Sequence, residues 1–234
     1  KKWQERASGL IKIITLAPEL PGSLEFIEKC SQSGVVVSMG HTAAQAEHIA
    51  EATEAGARMS THLGNAAHLN LPRHPNYIWE QLALDDLWIS IIADGFHLPD
   101  SVLKFFSRVK PLKSILVSDC TKFAGLSPGI YNSHIGGDVE LNESGRLFMK
   151  KTPELLAGSA QSLLWCVNHM FKSGIITLVN AIEMASCRPK QLLQNQPISS
   201  ELRENTDLVI FEKLSGGGLK VKSTIKSGQL VFTQ

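Results

Sequence analysis

Four ionisable side chains follow four successive strand-like segments of the chain, at or just after the point where each apolar run ends. They are His41, His62, His97 and Asp119. Residues at the carboxyl ends of neighbouring parallel strands converge on one edge of an α/β sheet or barrel. Zinc accepts histidine nitrogen ligands and, in catalytic sites, keeps one position open for water. The pattern therefore predicts a water-activating metal site with His41 and His62 as ligands.

The other two groups suit the proton chemistry of a hydrolase. Hydrolysis needs a group that takes a proton from water and returns it to the leaving group, and Asp119 is placed for that role. His97 suits stabilisation of the developing oxyanion. One such histidine alone is more often structural, so the prediction depends on all four positions together. Glu19, at the end of the first strand, is a possible third ligand, with capping or packing as an equal alternative.

The loop after His62 is rich in hydrogen-bond donors. Asn65 and Arg73, together with backbone amides between them, are suited to grip an anionic group such as phosphate. An ordinary surface arginine is the alternative explanation for Arg73.

Strand-like and helical segments alternate through the first half of the chain. The predicted strands are 10–16, 35–39, 58–61, 88–93 and 115–118, separated by helices at 24–29, 43–55, 77–84 and 100–109. This rhythm indicates an α/β fold with a parallel sheet and right-handed crossovers. A closed barrel needs eight strands, so the chain is either an open doubly wound sheet or the C-terminal five strands of a (β/α)8 barrel. The histidine pattern favours the barrel.

The rhythm breaks after the fifth strand. Residues 131–150 predict a β-hairpin insertion, two helices follow near 159–172 and 177–185, and three β segments close the chain at 207–211, 219–225 and 229–232. We therefore predict a partial barrel over 1–190 and a small β appendage over 191–234 that packs against it. The chain begins with Lys1 and not methionine, and we expect it to be part of a longer protein.

Bulk composition narrows the range of partners. The formal net charge of the 234 residues is +1, and no long basic or acidic run occurs, so we expect neither nucleic acid nor a membrane surface as partner. No apolar stretch approaches the roughly 18 to 20 residues of a membrane span, and no signal peptide opens the chain. The four scattered cysteines, without a C-x-x-C pair, predict reduced thiols in a cytoplasmic protein.

Several short segments have a recognisable order and spacing. They are Thr-Leu-Ala-Pro-Glu at 15–19, Gly-His at 40–41, Thr-His-Leu-Gly-Asn-Ala at 61–66, Ile-Ala-Asp-Gly-Phe-His at 92–97, Val-Ser-Asp at 117–119, Leu-Ala-Gly-Ser at 156–159 and Asp-Leu-Val at 207–209. Together they resemble the N-acetylglucosamine-6-phosphate deacetylase family of the amidohydrolase superfamily. The resemblance runs from about residue 10 to the end of the chain. It implies a metal-dependent (β/α)8 barrel with a small β-sandwich built from both chain ends.

The resemblance also implies an activity and a set of roles. The activity is hydrolysis of the N-acetyl group of N-acetylglucosamine 6-phosphate to glucosamine 6-phosphate and acetate, with a divalent metal, zinc before iron or cobalt. The implied metal ligands are His41 and His62, and the implied catalytic residue is Asp119. The implied substrate-binding residues are Asn65, Ala66, Arg73, Asp94, Gly95, Phe96, His97, Leu156, Ala157 and Gly158. Arg73 is similar to an arginine supplied across a dimer interface, which implies a homodimer.

The sequence departs from the family pattern at two places. The family's third metal ligand is a glutamate in a His-Leu-Glu-Gly-Pro-like segment, which this chain lacks and which we expect upstream of Lys1; Glu19 belongs to a different motif. Gly64 replaces a bulkier residue, and the loop at 71–75 differs from the common one. Two alternatives therefore stay open: an amidohydrolase for another N-acyl amino sugar or a cyclic amide, and a non-catalytic sugar-binding remnant.

Overall fold

Five parallel strands form the central sheet, side by side in chain order. The computed structural model describes residues 2–133, 137–194 and 207–234. The strands are β1 (Ile13–Leu16), β2 (Val36–Met39), β3 (Ala57–Ser60), β4 (Trp88–Ile92) and β5 (Ser114–Val117). Each pairs in parallel with its neighbour. All residues of β2 and β4 are buried, as expected for strands covered on both faces.

Helices connect these strands and cover the sheet. After the short α1 (Lys2–Arg6), they are α2 (Ser23–Gln32), α3 (Ala46–Glu54), α4 (Tyr77–Ala83) and α5 (Asp100–Val109). The side chain of Asn76 accepts hydrogen bonds from the backbone of Ile78 and Trp79, which fixes the start of α4. Leu103 and Phe106 of α5 enter the main apolar core beside β4. The predicted α/β alternation is thus confirmed, with boundaries shifted by a few residues; α1 was not predicted.

The segment after β5 contains more strands than the hairpin predicted at 131–150. A four-stranded antiparallel sheet is formed by β6 (Gly129–Ser133), β7 (Gly137–Leu141), β8 (Leu147–Met149) and β9 (Thr152–Leu156). β8 has only three residues, and β9 contains Pro153, a residue that is uncommon in strands, so neither shows the long alternation by which a strand is recognised in a sequence. Residues 134–136 of the predicted insertion lie outside the described residues.

Three helices and a small sheet complete the chain. The helices are α6 (Leu163–Lys172), α7 (Leu178–Ala185) and α8 (Cys187–Gln194), followed by the antiparallel strands β10 (Leu208–Lys213), β11 (Leu219–Lys226) and β12 (Gln229–Thr233). α8 was not predicted; Pro189 lies in its first turn, where proline is tolerated. Residues 195–206 of the predicted C-terminal segment are not among those described. Within the described ranges, no helix has the length and apolar character needed to span a membrane.

The ends of β2 and β3 approach each other unusually closely. A Cβ atom placed on Gly40 would lie 2.6 Å from Cβ of Thr61 and 3.0 Å from Cγ2 of Thr15. Real Cβ atoms essentially never make contacts that short, so only glycine allows the two strand ends to come this near. The consequence is that the residues directly after Gly40 and Thr61 become neighbours.

We predict that Gly40→Ala destabilises the chain by about 1–3 kcal/mol, because the added methyl group must push the two strand ends apart. Gly216→Ala is the matched control, since a Cβ there meets no atom within 4 Å and the φ of Gly216, like that of Gly40, is not in the left-handed region. Urea unfolding of both variants measures the difference. Equal unfolding free energies would show that the close approach does not constrain the fold.

Candidate active site

Three of the four predicted strand-end residues share an uncommon backbone conformation. His41, His62 and Asp119 have positive φ angles of 52°, 32° and 48°. Only a few per cent of non-glycine residues lie in this region, and such residues cluster at functional sites where the surrounding structure holds them. The chain therefore turns in a similar way after β2, β3 and β5.

The side chains of His41 and His62 converge. Their Nε2 atoms lie 2.9 Å apart, and the ring centroids lie 4.7 Å apart with the ring planes nearly perpendicular. His62 is buried, and its Nδ1 atom has no hydrogen-bond partner among the described residues, whereas His41 is exposed. One nitrogen from each ring is thus directed at the same point, open to solvent on the His41 side.

Burial determines the charge of His62. Desolvation lowers the pKa of the His62 imidazole, and the charges of His41 and His97 lower it further. A hydrogen bond to the residue's own backbone and the negative charge of Asp119 raise it, without reversing the net decrease. His62 is therefore neutral at pH 7, which is the form that binds metals. The same interactions show that Asp119 and His97 lie near enough to act on His62 electrostatically.

A hydroxyl group that was not predicted holds the backbone of His62. Ser90 Oγ of β4 accepts a hydrogen bond from the His62 amide at 2.7 Å and donates one to the carbonyl oxygen of Ser60 at 3.1 Å. A single serine within the apolar run Trp-Ile-Ser-Ile-Ile is the sequence signal that would have identified Ser90.

A second group of hydroxyls links the ends of β1, β2 and β3: Thr61 Oγ1 is hydrogen-bonded to the hydroxyls of Ser38 at 2.6 Å and Thr15 at 2.9 Å.

Glu19 fixes the turn that follows His41. Its carboxylate accepts hydrogen bonds from the hydroxyl of Thr42 and, at 2.6 Å, from the amide of Ala43. Partial burial raises the pKa of Glu19, but these two hydrogen bonds outweigh that effect and the net pKa is lowered. The geometry matches the capping alternative for Glu19.

The 94–97 segment forms a compact turn around a buried carboxylate. Asp94 Oδ1 accepts hydrogen bonds from the amides of Phe96 at 2.9 Å and His97 at 3.0 Å, and Asp94 Oδ2 lies 2.8 Å from Nδ1 of His97. Gly95 has a φ of 82°. Burial raises the pKa of Asp94, but the hydrogen bonds and charge of His97 and the amide of Phe96 overcome it and bring the pKa to about 2.

The predicted substrate segment Leu156 to Gly158 lies alongside the Asp119 turn. Ser159 forms an isolated parallel bridge with Cys120 and accepts a hydrogen bond from the Thr121 amide at 2.8 Å. Gly158 has a φ of 89°, and a Cβ atom there would lie 2.6 Å from Cγ2 of Thr121. Ala157 is buried, whereas Asp119 is exposed. The fold therefore joins two segments that are far apart in the sequence.

Asn65 and Ala66 lie in the turn directly after His62. Both the backbone amide and the Nδ2 group of Asn65 donate to the carbonyl oxygen of His62, at 2.9 and 3.2 Å. Ala66 is exposed with a φ of 51°. Arg73 is exposed further along the loop, next to a groove of about 540 Å³ lined by residues 43–47 and by parts of the 68–77 loop.

Two residues of α6 support the 94–97 turn from behind. Trp165 Nε1 donates to the carbonyl oxygen of Asp94 at 3.0 Å, and the His169 ring lies 3.0 Å from where a Cβ of Gly95 would be. Trp165 was not predicted, because its partner lies 71 residues earlier and no local pattern connects them. His169 thus has a supporting position behind the turn.

The residues in place fit part of a metal site. The converging Nε2 atoms of His41 and His62 suit two of the three protein ligands that a catalytic zinc uses. Across residues 2–133, 137–194 and 207–234, however, no group of three or more His, Cys, Asp or Glu side chains is arranged to hold a metal ion.

Comparison with known proteins repeatedly finds relatives that carry the same name. No protein-family model matches the chain. N-acetylglucosamine-6-phosphate deacetylase of Lysinibacillus sphaericus is 32% identical over 234 residues, covering 98% of this chain and 58% of the relative. The protein of the same name from Bacillus subtilis is 40% identical over 171 residues, covering 73% of this chain and 42% of the relative. The chain thus spans about half the length of these relatives.

Solved structures of the same enzyme share the fold. The Thermotoga maritima structure has a TM-score of 0.80 at 26% identity, covering 99% of this chain and 62% of its own. The Pasteurella multocida structure has a TM-score of 0.84 at 24% identity, with coverages of 100% and 59%. An aspartate-to-alanine variant from Mycobacterium smegmatis, in complex with N-acetyl-D-glucosamine-6-phosphate, has a TM-score of 0.83 at 23% identity, with coverages of 99% and 60%. Over nearly its whole length, the chain is therefore similar to proteins named N-acetylglucosamine-6-phosphate deacetylase, in sequence and in fold.

Proposed function

We propose that this chain carries the catalytic part of a metal-dependent deacetylase for N-acetylglucosamine 6-phosphate, which yields glucosamine 6-phosphate and acetate. The observation that carries the proposal is the 2.9 Å approach of the His41 and His62 Nε2 atoms at the ends of two parallel strands. The names of the relatives and the sugar phosphate bound in the mycobacterial structure support the choice of substrate.

The same proposal extends to the architecture. In a protein of the relatives' full length, the five parallel strands would be five of the eight strands of a (β/α)8 barrel, and β10–β12 would be part of a β-sandwich. The strand order β1 to β5 with intervening helices supports the barrel. The division into a barrel part over 1–190 and a sandwich part over 191–234 follows from this proposal.

His41 and His62 would hold a divalent metal ion. We propose zinc as the first choice, and iron and cobalt are alternatives because this donor set suits all three metals. When bound, such an ion lowers the pKa of a water ligand toward neutrality and polarises a carbonyl group. The buried, neutral state of His62 supports its role as a ligand. We expect the third ligand from the part of the relatives that this chain does not span.

Asp119 and His97 would handle the protons and the carbonyl oxygen. The Asp119 carboxylate is exposed, and its charge reaches His62, so it is available to accept a proton from water and return it to the amine. His97 is held at Nδ1 by Asp94, which leaves Nε2 to contact the reacting carbonyl.

The sugar phosphate would contact the loops around these residues. Asn65 and the backbone at Ala66 lie next to His62, and the segments from Asp94 to His97 and from Leu156 to Gly158 border the other side. The exposed guanidinium of Arg73 would bind the 6-phosphate, reaching the site of the second subunit of a homodimer. A cytoplasmic location remains a prediction from the cysteine pattern.

The metal ligands can be tested without turnover. We expect His41→Asn to weaken zinc binding by about tenfold or more while leaving the chain folded, because asparagine tolerates a positive φ angle. Titration calorimetry measures the affinity and thermal unfolding measures the stability. His74→Asn, an exposed histidine outside the pair, is the control and should bind zinc as the unmodified chain does. Unchanged zinc affinity in His41→Asn would contradict the ligand assignment.

Replacement of Asp119 tests the chemistry. We expect Asp119→Asn to lower the rate of glucosamine 6-phosphate release by about 10²- to 10⁴-fold, because the amide cannot accept the proton from water. Zinc affinity should not change, since Asp119 is not a ligand in this scheme. If the unmodified, zinc-loaded chain binds the substrate without releasing acetate, the non-catalytic sugar-binding alternative is favoured instead.

Arg73 tests phosphate recognition. Because a hydrogen-bonded charge pair contributes about 1.5–3 kcal/mol, we expect Arg73→Ala to raise KM for the 6-phosphate roughly 10- to 100-fold. It should leave the weaker reaction with unphosphorylated N-acetylglucosamine unaffected. Arg108→Ala, an exposed arginine on α5, is the control. Equal effects of Arg73→Ala on both sugars would favour a different N-acyl substrate.

A further inference from the structure

We propose that Asp94 is not a substrate contact but a positioning residue, which fixes the proton of the His97 imidazole on Nδ1. This inference rests on the proposed function, in which His97 contacts the reacting carbonyl. It replaces the substrate-binding role that the resemblance implies for Asp94 with a role that acts through His97.

The acceptor atoms of Asp94 are already engaged within its own turn. Oδ1 accepts hydrogen bonds from the backbone amides of Phe96 and His97, and Oδ2 lies 2.8 Å from His97 Nδ1. The side chain of Asp94 is 1% exposed and that of His97 is 10% exposed. A sugar hydroxyl group therefore has no free path to the carboxylate, whereas the His97 ring retains an open edge.

The turn cannot easily rotate to expose Asp94. Trp165 Nε1 donates to the Asp94 carbonyl oxygen, and the His169 ring packs against Gly95. His169 is itself held by Asp100, with 2.8 Å between His169 Nε2 and Asp100 Oδ1. Helix α6 thus fixes the backbone of the turn, and the turn fixes the carboxylate.

The hydrogen-bonding pattern decides which nitrogen of His97 carries the proton. A carboxylate accepts and does not donate, so the nitrogen facing Oδ2 must carry a hydrogen. Neutral His97 is therefore protonated at Nδ1 and presents a lone pair at Nε2. It donates a hydrogen bond from Nε2 only when the ring takes a second proton, in which case Asp94 is the counter-charge of the resulting imidazolium.

Asp94→Asn reverses this pattern with little change of shape. The side-chain oxygen of the asparagine is needed by the two amides, so its NH₂ group faces His97 Nδ1. Because that group donates, Nδ1 must become the acceptor, and the proton of neutral His97 moves to Nε2. A role limited to packing would not predict this exchange.

The test is long-range ¹H–¹⁵N correlation NMR of the ¹⁵N-labelled chain, at a pH where the histidines are neutral. We expect His97 to show a protonated Nδ1 in the unmodified chain and a protonated Nε2 in Asp94→Asn. Asp86→Asn is the control: it alters an exposed carboxylate that pairs with Lys113 before β4, at the opposite end of that strand from the 94–97 turn, and should leave the His97 signals unchanged. His97 protonated at Nε2 in the unmodified chain, or unchanged signals in Asp94→Asn, would overturn the proposal.

Turnover separates this proposal from the proposed function. In an active chain, Asp94→Asn should lower kcat by about 10- to 100-fold with little change in KM, because the asparagine cannot act as counter-charge to the His97 imidazolium that donates from Nε2, and hydrogen bonds to charged groups contribute on that scale. A larger effect on KM than on kcat would return Asp94 to direct substrate binding. If a protein extended to the relatives' full length, and so carrying the expected third metal ligand, shows no deacetylation, the proposed function fails, while the NMR result still decides the role of Asp94.

Discussion

The close approach of β2 and β3 at Gly40 and Thr61 is the constraint on which the site depends. Because a Cβ at Gly40 would lie 2.6 Å from Thr61 Cβ, glycine is required for the two strand ends to come together. The residues that follow them, His41 and His62, then turn through a positive φ and bring their Nε2 atoms to 2.9 Å. Without that approach the two imidazoles would not share one point, and a metal ion would lack two ligands.

Polar contacts complete this arrangement by fixing the turns on which the functional side chains depend. Ser90 holds the amide of His62, Glu19 holds the turn after His41, and Asp94 holds the ring of His97. Each of these hydrogen bonds joins a side chain to the end of a strand or to the turn that follows it. The functional groups are therefore held in place at one edge of the sheet. Asp119, by contrast, is exposed, so its carboxylate is accessible to a substrate that enters from solvent.

The parts of the fold that local patterns encode could be predicted from the sequence. Four apolar runs ending in His or Asp, with a fifth run at 10–16, predicted the five parallel strands and the edge on which the site lies, because strand period and burial are local properties. The four-stranded sheet around β8 and β9 was underestimated, since a three-residue strand and Pro153 leave no clear alternation. Trp165 and its bond to the Asp94 carbonyl could not be predicted, because only the tertiary fold joins residues 71 positions apart. The resemblance supplied the roles of Leu156 to Gly158, and only the structure showed them beside Asp119.

The most direct test of the central claim is anomalous diffraction from crystals of the chain grown with zinc. The account predicts one zinc peak about 2.0–2.1 Å from Nε2 of both His41 and His62, with the two rings moved slightly apart to admit it. A zinc peak bound elsewhere, with the two imidazoles still in contact with each other, would contradict the claim that these two strand ends form a metal site.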